Sequence, residues 1–202
     1  MTTVVLALHY QNEVLHEQGK IRVGVEANSP VRQRIIHSAL ELLTQARTHH
    51  IPIVHVRVAY RPDYADLQCN APILQGVKNL QAMQEGSWGA EFLDSLAPQP
   101  NNPHEFIVKH TRINAFYGSN LDVILNKLRP TRLIIAGVAT HSVVESTVRH
   151  AVDMGYEVTV PAAACGAPAA THEAALNSMR LIATIYESEH MHALFKDGGH
   201  DH

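Results

Sequence analysis

The chain has 202 residues, 46% of them hydrophobic and 17% charged, with a formal net charge of −3 and a pI near 6.6. That size and balance predict one domain over residues 1–202 with a substantial core. They exclude a basic field for nucleic acid, and no stretch is apolar for long enough to span a bilayer. The N-terminal MTTVVLALHYQNE lacks a basic lead and turns polar too soon for a secretory signal, so a cytoplasmic protein is expected. Cys69 and Cys165, far apart in such a chain, are expected to be free thiols. The 15 histidines are scattered, and the terminal GGHDH reads as a frayed tail.

In chain order, Thr3 to Leu8 is a short apolar, β-branched run that predicts a central strand, ending in the polar group His9-Tyr10-Gln11-Asn12. Residues Glu13 to Ala27 carry no clear period. Ser29 is a natural N-cap with Pro30 at the first helical position, and Ile35, Ile36, Ala39, Leu42, Leu43 and Ala46 mark the buried face of that helix. Ile51 to Val58 predicts the second strand, with Pro52 tolerable only near its beginning. Tyr60 to Pro103 is too long for a plain connection, so it should hold functional or interface loops. Phe106 to Val108 predicts a short third strand ending at Lys109. A helix capped by Ser119, carrying Leu121, Ile124, Leu125 and Leu128, follows. Arg132 to Ala136 and Tyr156 to Val160 predict the fourth and fifth strands. A helix from Thr171 to Met179 and a sixth strand near Ala183 to Tyr186 complete an alternating α/β pattern. That pattern implies a parallel sheet with helices on both faces.

The most informative stretch is Leu133 to Tyr156. An apolar run breaks at Gly137, and a helical period follows in Val144, Val148, Ala151 and Val152 before Gly155. Ligands bind where such strands end and helices begin, and helix-start N–H groups favour an anion or oxyanion there. Three strand ends supply polar groups: His9, Lys109 and the 137–143 turn. They are expected to converge on one sheet edge. Lysine among apolar residues is costly to bury without a negative partner, so Lys109 should find another acid or a bound anionic small-molecule ligand, or else reach solvent. Ser142 adjoins the turn as a candidate nucleophile, but Ser142 and Glu145 also form an S-x-x-E capping box.

The segments FIVKHTRINAFYGSNLDVIL, LIIAGVATHSVVESTVRHAVDMGYEVTV and EGSWGAEFLDSLAP resemble the isochorismatase-like, or cysteine hydrolase, superfamily. The resemblance covers nearly the whole chain. It implies a single-domain, six-stranded parallel sheet with helices on both faces, in dimers or tetramers. It also implies a triad in which an Asp ends the first strand, a Lys ends the third, and a Cys opens the helix after the fourth. Carried over residue by residue, the Lys matches Lys109, the Asp position holds His9, and the Cys position holds Val143. The non-proline cis peptide of the family would fall at Val138-Ala139.

Valine is no nucleophile, so thiol-based amide hydrolysis by the family route should be absent. Isochorismatases proper also lack the Cys and carry a His where His141 stands, which leaves room for acid–base catalysis by His9. The resemblance further places Trp88, Phe116 and Tyr117 around an apolar pocket, and the N–H groups of Ala139 and Val143 at the oxyanion site. No cofactor is expected. The Asp-x-His metal pattern of some nicotinamidases is not reproduced, so no metal is expected either. The first reading is Cys-independent hydrolysis of a small anionic substrate, with His9 as acid or base and Lys109 as charge stabiliser. The alternatives are a non-catalytic small-molecule-binding protein and a pseudoenzyme subunit.

Overall fold

The apolar runs become β1 (Thr3–Leu8), β2 (Ile53–Val58), β3 (Glu105–His110), β4 (Arg132–Gly137), β5 (Glu157–Pro161) and β6 (Thr184–Tyr186). The computed structural model describes residues 2–198, so the GGHDH tail lies outside the described residues from Gly199 on. All strand pairs are parallel, in the order β3-β2-β1-β4-β5-β6. Val4 to Leu8 and Leu133 to Gly137 are buried without alternation, which requires cover on both faces of the sheet. β3 lies at the edge, and there exposed Ile107 and Lys109 alternate with buried Val108 and His110. The fold expectation is therefore met, including the sixth strand.

The helices are α1 (Asn12–Leu15), α2 (Pro30–Thr48), α3 (Pro72–Asn79), α4 (Leu121–Leu128), α5 (Glu145–Asp153) and α6 (Ala169–Met179). α2 starts as its sequence dictates: Ser29 Oγ accepts from the Val31 N–H at 3.2 Å, and Pro30 occupies the first turn. Ser119, the expected cap, sits one residue before the observed one. Asn120 is the N-cap of α4, yet Ser119 Oγ still accepts from the Leu121 N–H. The long segment after β2 holds α3 and two 3-10 turns, Trp88–Ala90 and Asp94–Leu96. No described helix is long and apolar enough to cross a membrane.

The chain turns from β1 to β2 and β3 on one side and to β4, β5 and β6 on the other. β1 and β4 thus flank the point where the topology reverses, the usual place for a ligand crevice. Leu8 pairs with Gly137 at the ends of these strands. A Cβ on Gly137 would lie 2.3 Å from the Leu8 carbonyl oxygen, so glycine alone permits this approach.

Candidate active site

β1 ends in His9, whose φ of 59° puts it in the left-handed region that few non-glycine residues occupy. The backbone turns there while the His9 N–H still bonds Val56 O at 2.9 Å. The next residues clamp the turn. Gln11 is fully buried, donates to Val58 O and Ala90 O, and accepts from the Val58 N–H. Asn12 donates to Trp88 O. Buried Glu13 accepts from the Lys20 and Met83 N–H groups. Gly89 faces Glu13 so closely that a Cβ would come within 2.0 Å of its carboxylate. These side chains weld the end of β1 to β2 and to the 83–90 loop.

β4 ends in the cis peptide Val138-Ala139, at the expected bond. A π-helical turn, Thr140–Val144, leads into α5. The Ala139 N–H makes no hydrogen bond among the described residues, while its carbonyl accepts from Ser142 and Val144. The Ser142–Glu145 capping box does not form. The helix proper starts only at Glu145, whose carboxylate reaches forward to Arg149. The π turn takes the place of the N-terminus that such a box would cap.

A cavity of ≈ 70 Å³ opens between these elements. His9, Val138, Ala139, Ser142 and Val143 form one side, and Val58, Tyr60, Leu74, Val77 and Met83 the other; Arg112 stands among them as the one charged lining residue apart from titratable His9 and Tyr60. His9 and the 138–143 turn therefore meet as expected.

Lys109 does not join them. Its Nζ donates to Glu85 at 3.0 Å on the exposed face of β3, in register with Arg57, which also binds Glu85. The reason is the period of two along a strand: one residue decides which face a side chain takes. His110, on the opposite face and buried, is the residue that β3 delivers, and its Nε2 lies 2.7 Å from His9 Nε2.

The positions expected to wall the pocket also differ. Trp88 is half exposed and packs edge-on against His16. Phe116 is buried but stacks on His150, outside the cavity, and Tyr117 is largely exposed. His141 points to solvent. Aliphatic side chains from α3 and the 21–23 loop line the cavity instead. Val143 does line the cavity, as the resemblance implies for that position. Cys165 is buried in the core, its thiol pushed up to about 12 by burial, and donates to Pro161 O. Cys69 is likewise free.

The hydrogen bonds of the histidine pair fix its protons. His110 Nδ1 lies 3.1 Å from the Asn114 carbonyl oxygen, which can only accept, so Nδ1 carries the hydrogen. Burial holds His110 down at about 4, so the ring is neutral at pH 7 and its Nε2 is a lone pair. His9 Nε2 must then donate to it, leaving His9 Nδ1 as a lone pair. Burial first, and the neighbouring His110 second, hold His9 well below the ordinary histidine value. His9 Nδ1 has no partner among the described residues. The arrangement is a neutral base oriented by a second imidazole and a carbonyl. Sequence reasoning missed His110 because the short apolar run before it stops at Val108. Counting strand alternation two residues forward from that buried residue is the signal that finds it. Among the described residues no three His, Cys, Asp or Glu side chains gather in a way that could hold a metal ion.

The chain is 27% identical over 197 residues to the ureidoacrylate amidohydrolase RutB of Methylorubrum extorquens, covering 88% of this chain and 76% of that one. It is 28% identical over 194 residues to the RutB of Methylobacterium radiotolerans, covering 87% and 72%. Among solved structures, a cysteine hydrolase from Pseudomonas syringae superposes with a TM-score of 0.79 at 20% identity, covering 91% of this chain and 87% of the other. The N-carbamoylsarcosine amidase of Thermoplasma acidophilum gives 0.73 at 19%, covering 93% and 96%. The isochorismatase domain model matches residues 3–190, and the chain belongs to the isochorismatase family.

Proposed function

We propose that this chain is a hydrolase that works without a thiol, using His9 as general base toward a water molecule and a small anionic substrate. The observation that carries this reading is the hydrogen-bond chain from Asn114 O through His110 to His9, which leaves an unprotonated Nδ1 on a cavity-lining residue. The water oxygen bonds to the substrate carbonyl carbon as its proton passes to His9 Nδ1. The Ala139 N–H is available to the developing oxyanion. Collapse breaks the bond from the acyl carbon to nitrogen or oxygen, and His9 returns the proton to the leaving group. A resting base suits acyl transfer to water better than protonation of a vinyl ether, which needs a resting acid. The names of the relatives, an amidohydrolase and an amidase, agree with that preference. Oligomerisation as a homodimer or homotetramer and a cytoplasmic setting complete the proposal.

The mainly apolar lining of the cavity favours a second reading, a binding protein for a small ligand without turnover. A panel of small amides, esters and vinyl ethers separates the two. Turnover of an amide or ester, lost in His9→Ala, supports the hydrolase. Thermal stabilisation by a panel member without turnover supports the binder.

A further inference from the structure

The expected charge stabiliser, Lys109, faces away from the cavity, yet the cavity is not without a cation. Arg112, two residues beyond β3, lines both the inner cavity beside His9 and a wider outer one of ≈ 460 Å³ that also touches Gln68, Asn70, Asn114 and Tyr117. Arg112 and its neighbour Ile113 are the residues the two cavities share.

Two neutral acceptors orient its guanidinium: Nη1 donates to Gln68 O at 3.2 Å and Nη2 to Asn70 Oδ1 at 3.0 Å. The described arginine–carboxylate pairs involve Arg47, Arg57, Arg61, Arg149 and Arg180, and none of them involves Arg112. A guanidinium has five N–H donors, so three are left over here. The aliphatic walls beside it contribute little competing polarity, which strengthens the attraction for an anion.

We infer that Arg112 is the specificity-determining residue of this site and anchors the carboxylate of a short aliphatic acid whose apolar part fills the inner cavity. A planar carboxylate matches the guanidinium fork and its single charge. A phosphate dianion would be met by only one cation among the lining residues. By the volume a water-sized probe needs, the inner cavity holds about five such groups, which limits the apolar part to a few heavy atoms. The inference rests on the same cavity as the hydrolase reading and supplies its anionic substrate class, with the hydrolysable bond at the end nearer His9.

The test is calorimetric titration of the intact protein with butyrate and with uncharged butyramide, using wild type, Arg112→Gln, Arg112→Lys and Lys109→Gln. The expected result is butyrate binding at least tenfold tighter than butyramide in wild type. That preference is lost in Arg112→Gln, partly kept in Arg112→Lys and untouched in Lys109→Gln. Equal binding of the two probes by wild type overturns the inference, as does an Arg112→Gln protein with undiminished butyrate affinity. The wild-type comparison keeps the test decisive should Arg112→Gln fail to fold. Binding needs no turnover, so the outcomes separate. Arg112-dependent butyrate binding with no hydrolysis of any panel member overturns the hydrolase reading alone, and turnover with charge-blind binding overturns the anchor alone.

Discussion

Two histidines on adjacent parts of the sheet are held neutral by burial, and their surroundings differ in one respect. His55, in the middle of β2, donates to Glu105 at 2.8 Å, and Arg47 grips the same carboxylate through Nε and Nη2. The Gln99 N–H and Asn102 Nδ2 complete the shell. His9, at the end of β1, meets only another imidazole, and beyond that a carbonyl. The first cluster is charge-balanced and closed, and its one orphan, His55 Nδ1, is sealed from solvent. The second carries no charge and lines a cavity. A buried histidine that satisfies a carboxylate is part of the scaffold; one whose free nitrogen borders a cavity can do chemistry. Burial alone does not tell the two apart.

Substitutions should separate the clusters most sharply where the partner is an ion. Glu105→Ala leaves Arg47 and His55 without their acceptor and should cost roughly 3–5 kcal/mol in urea denaturation, as for one partner removed from a buried pair. Turnover measured on the protein that remains folded should not change. His9→Ala should do the reverse. It should lower turnover roughly 10²- to 10⁴-fold, the ordinary worth of a positioned base, with a much smaller effect on the urea midpoint. A loss of stability in His9→Ala equal to that in Glu105→Ala would make both clusters scaffold.

Proton linkage gives the comparison two successive windows that overlap only near pH 4. Below the ordinary histidine value of 6.5 the unfolded chain protonates its histidines while native His110 stays neutral down to about 4. The unfolded state then binds more protons, so stability falls as pH drops from 6.5 to about 4. His9 and His55, also held low, add to this with the same sign. For Glu105, burial raises the carboxyl, but hydrogen bonds from His55, Arg47 and the Gln99 N–H more than offset that and hold it at about 2. Its stabilisation is present above its ordinary value of 4.5 and is lost as pH falls from there to about 2. Urea midpoints collected against pH should show His110→Asn reducing the upper slope and Glu105→Gln the lower slope, the latter also altering the His55 contribution to the upper one.

The smallest effect belongs to the one residue that matched the family triad in sequence. Lys109 and Glu85 form an exposed pair, worth about 0–1 kcal/mol. Lys109→Gln should therefore leave the urea midpoint within that range and turnover unchanged. A severe loss of activity would mean that the β3 side chain facing Glu85 takes part in the chemistry after all.

The fold was legible because β1 and β4 are buried on both faces, so their apolar runs are unbroken, and because Ser29-Pro30 starts α2 in the only way those residues favour. The meeting of His9 with the 138–143 turn was legible for the same reason, since adjacent central strands end together. What was not legible depends on which way a side chain points. On edge strand β3 a single step exchanges Lys109 for His110. The wall of the cavity comes from α3 and the 21–23 loop, held by contacts such as Ile21 N–H to Glu13 O and Ala82 N–H to Val77 O rather than by a periodic pattern. Arg112 lies past the end of a strand, where no period identifies the direction of a side chain.

The central claim is a matter of where two hydrogens sit, and side-chain ¹⁵N spectroscopy of the histidines at pH 7 reads it without any substrate. The expected result is a neutral His110 protonated at Nδ1 and a neutral His9 protonated at Nε2, with His9 Nδ1 showing the shift of an unprotonated nitrogen. A His9 imidazolium, or a His9 carrying its hydrogen on Nδ1, would contradict the account and leave the cavity without its base.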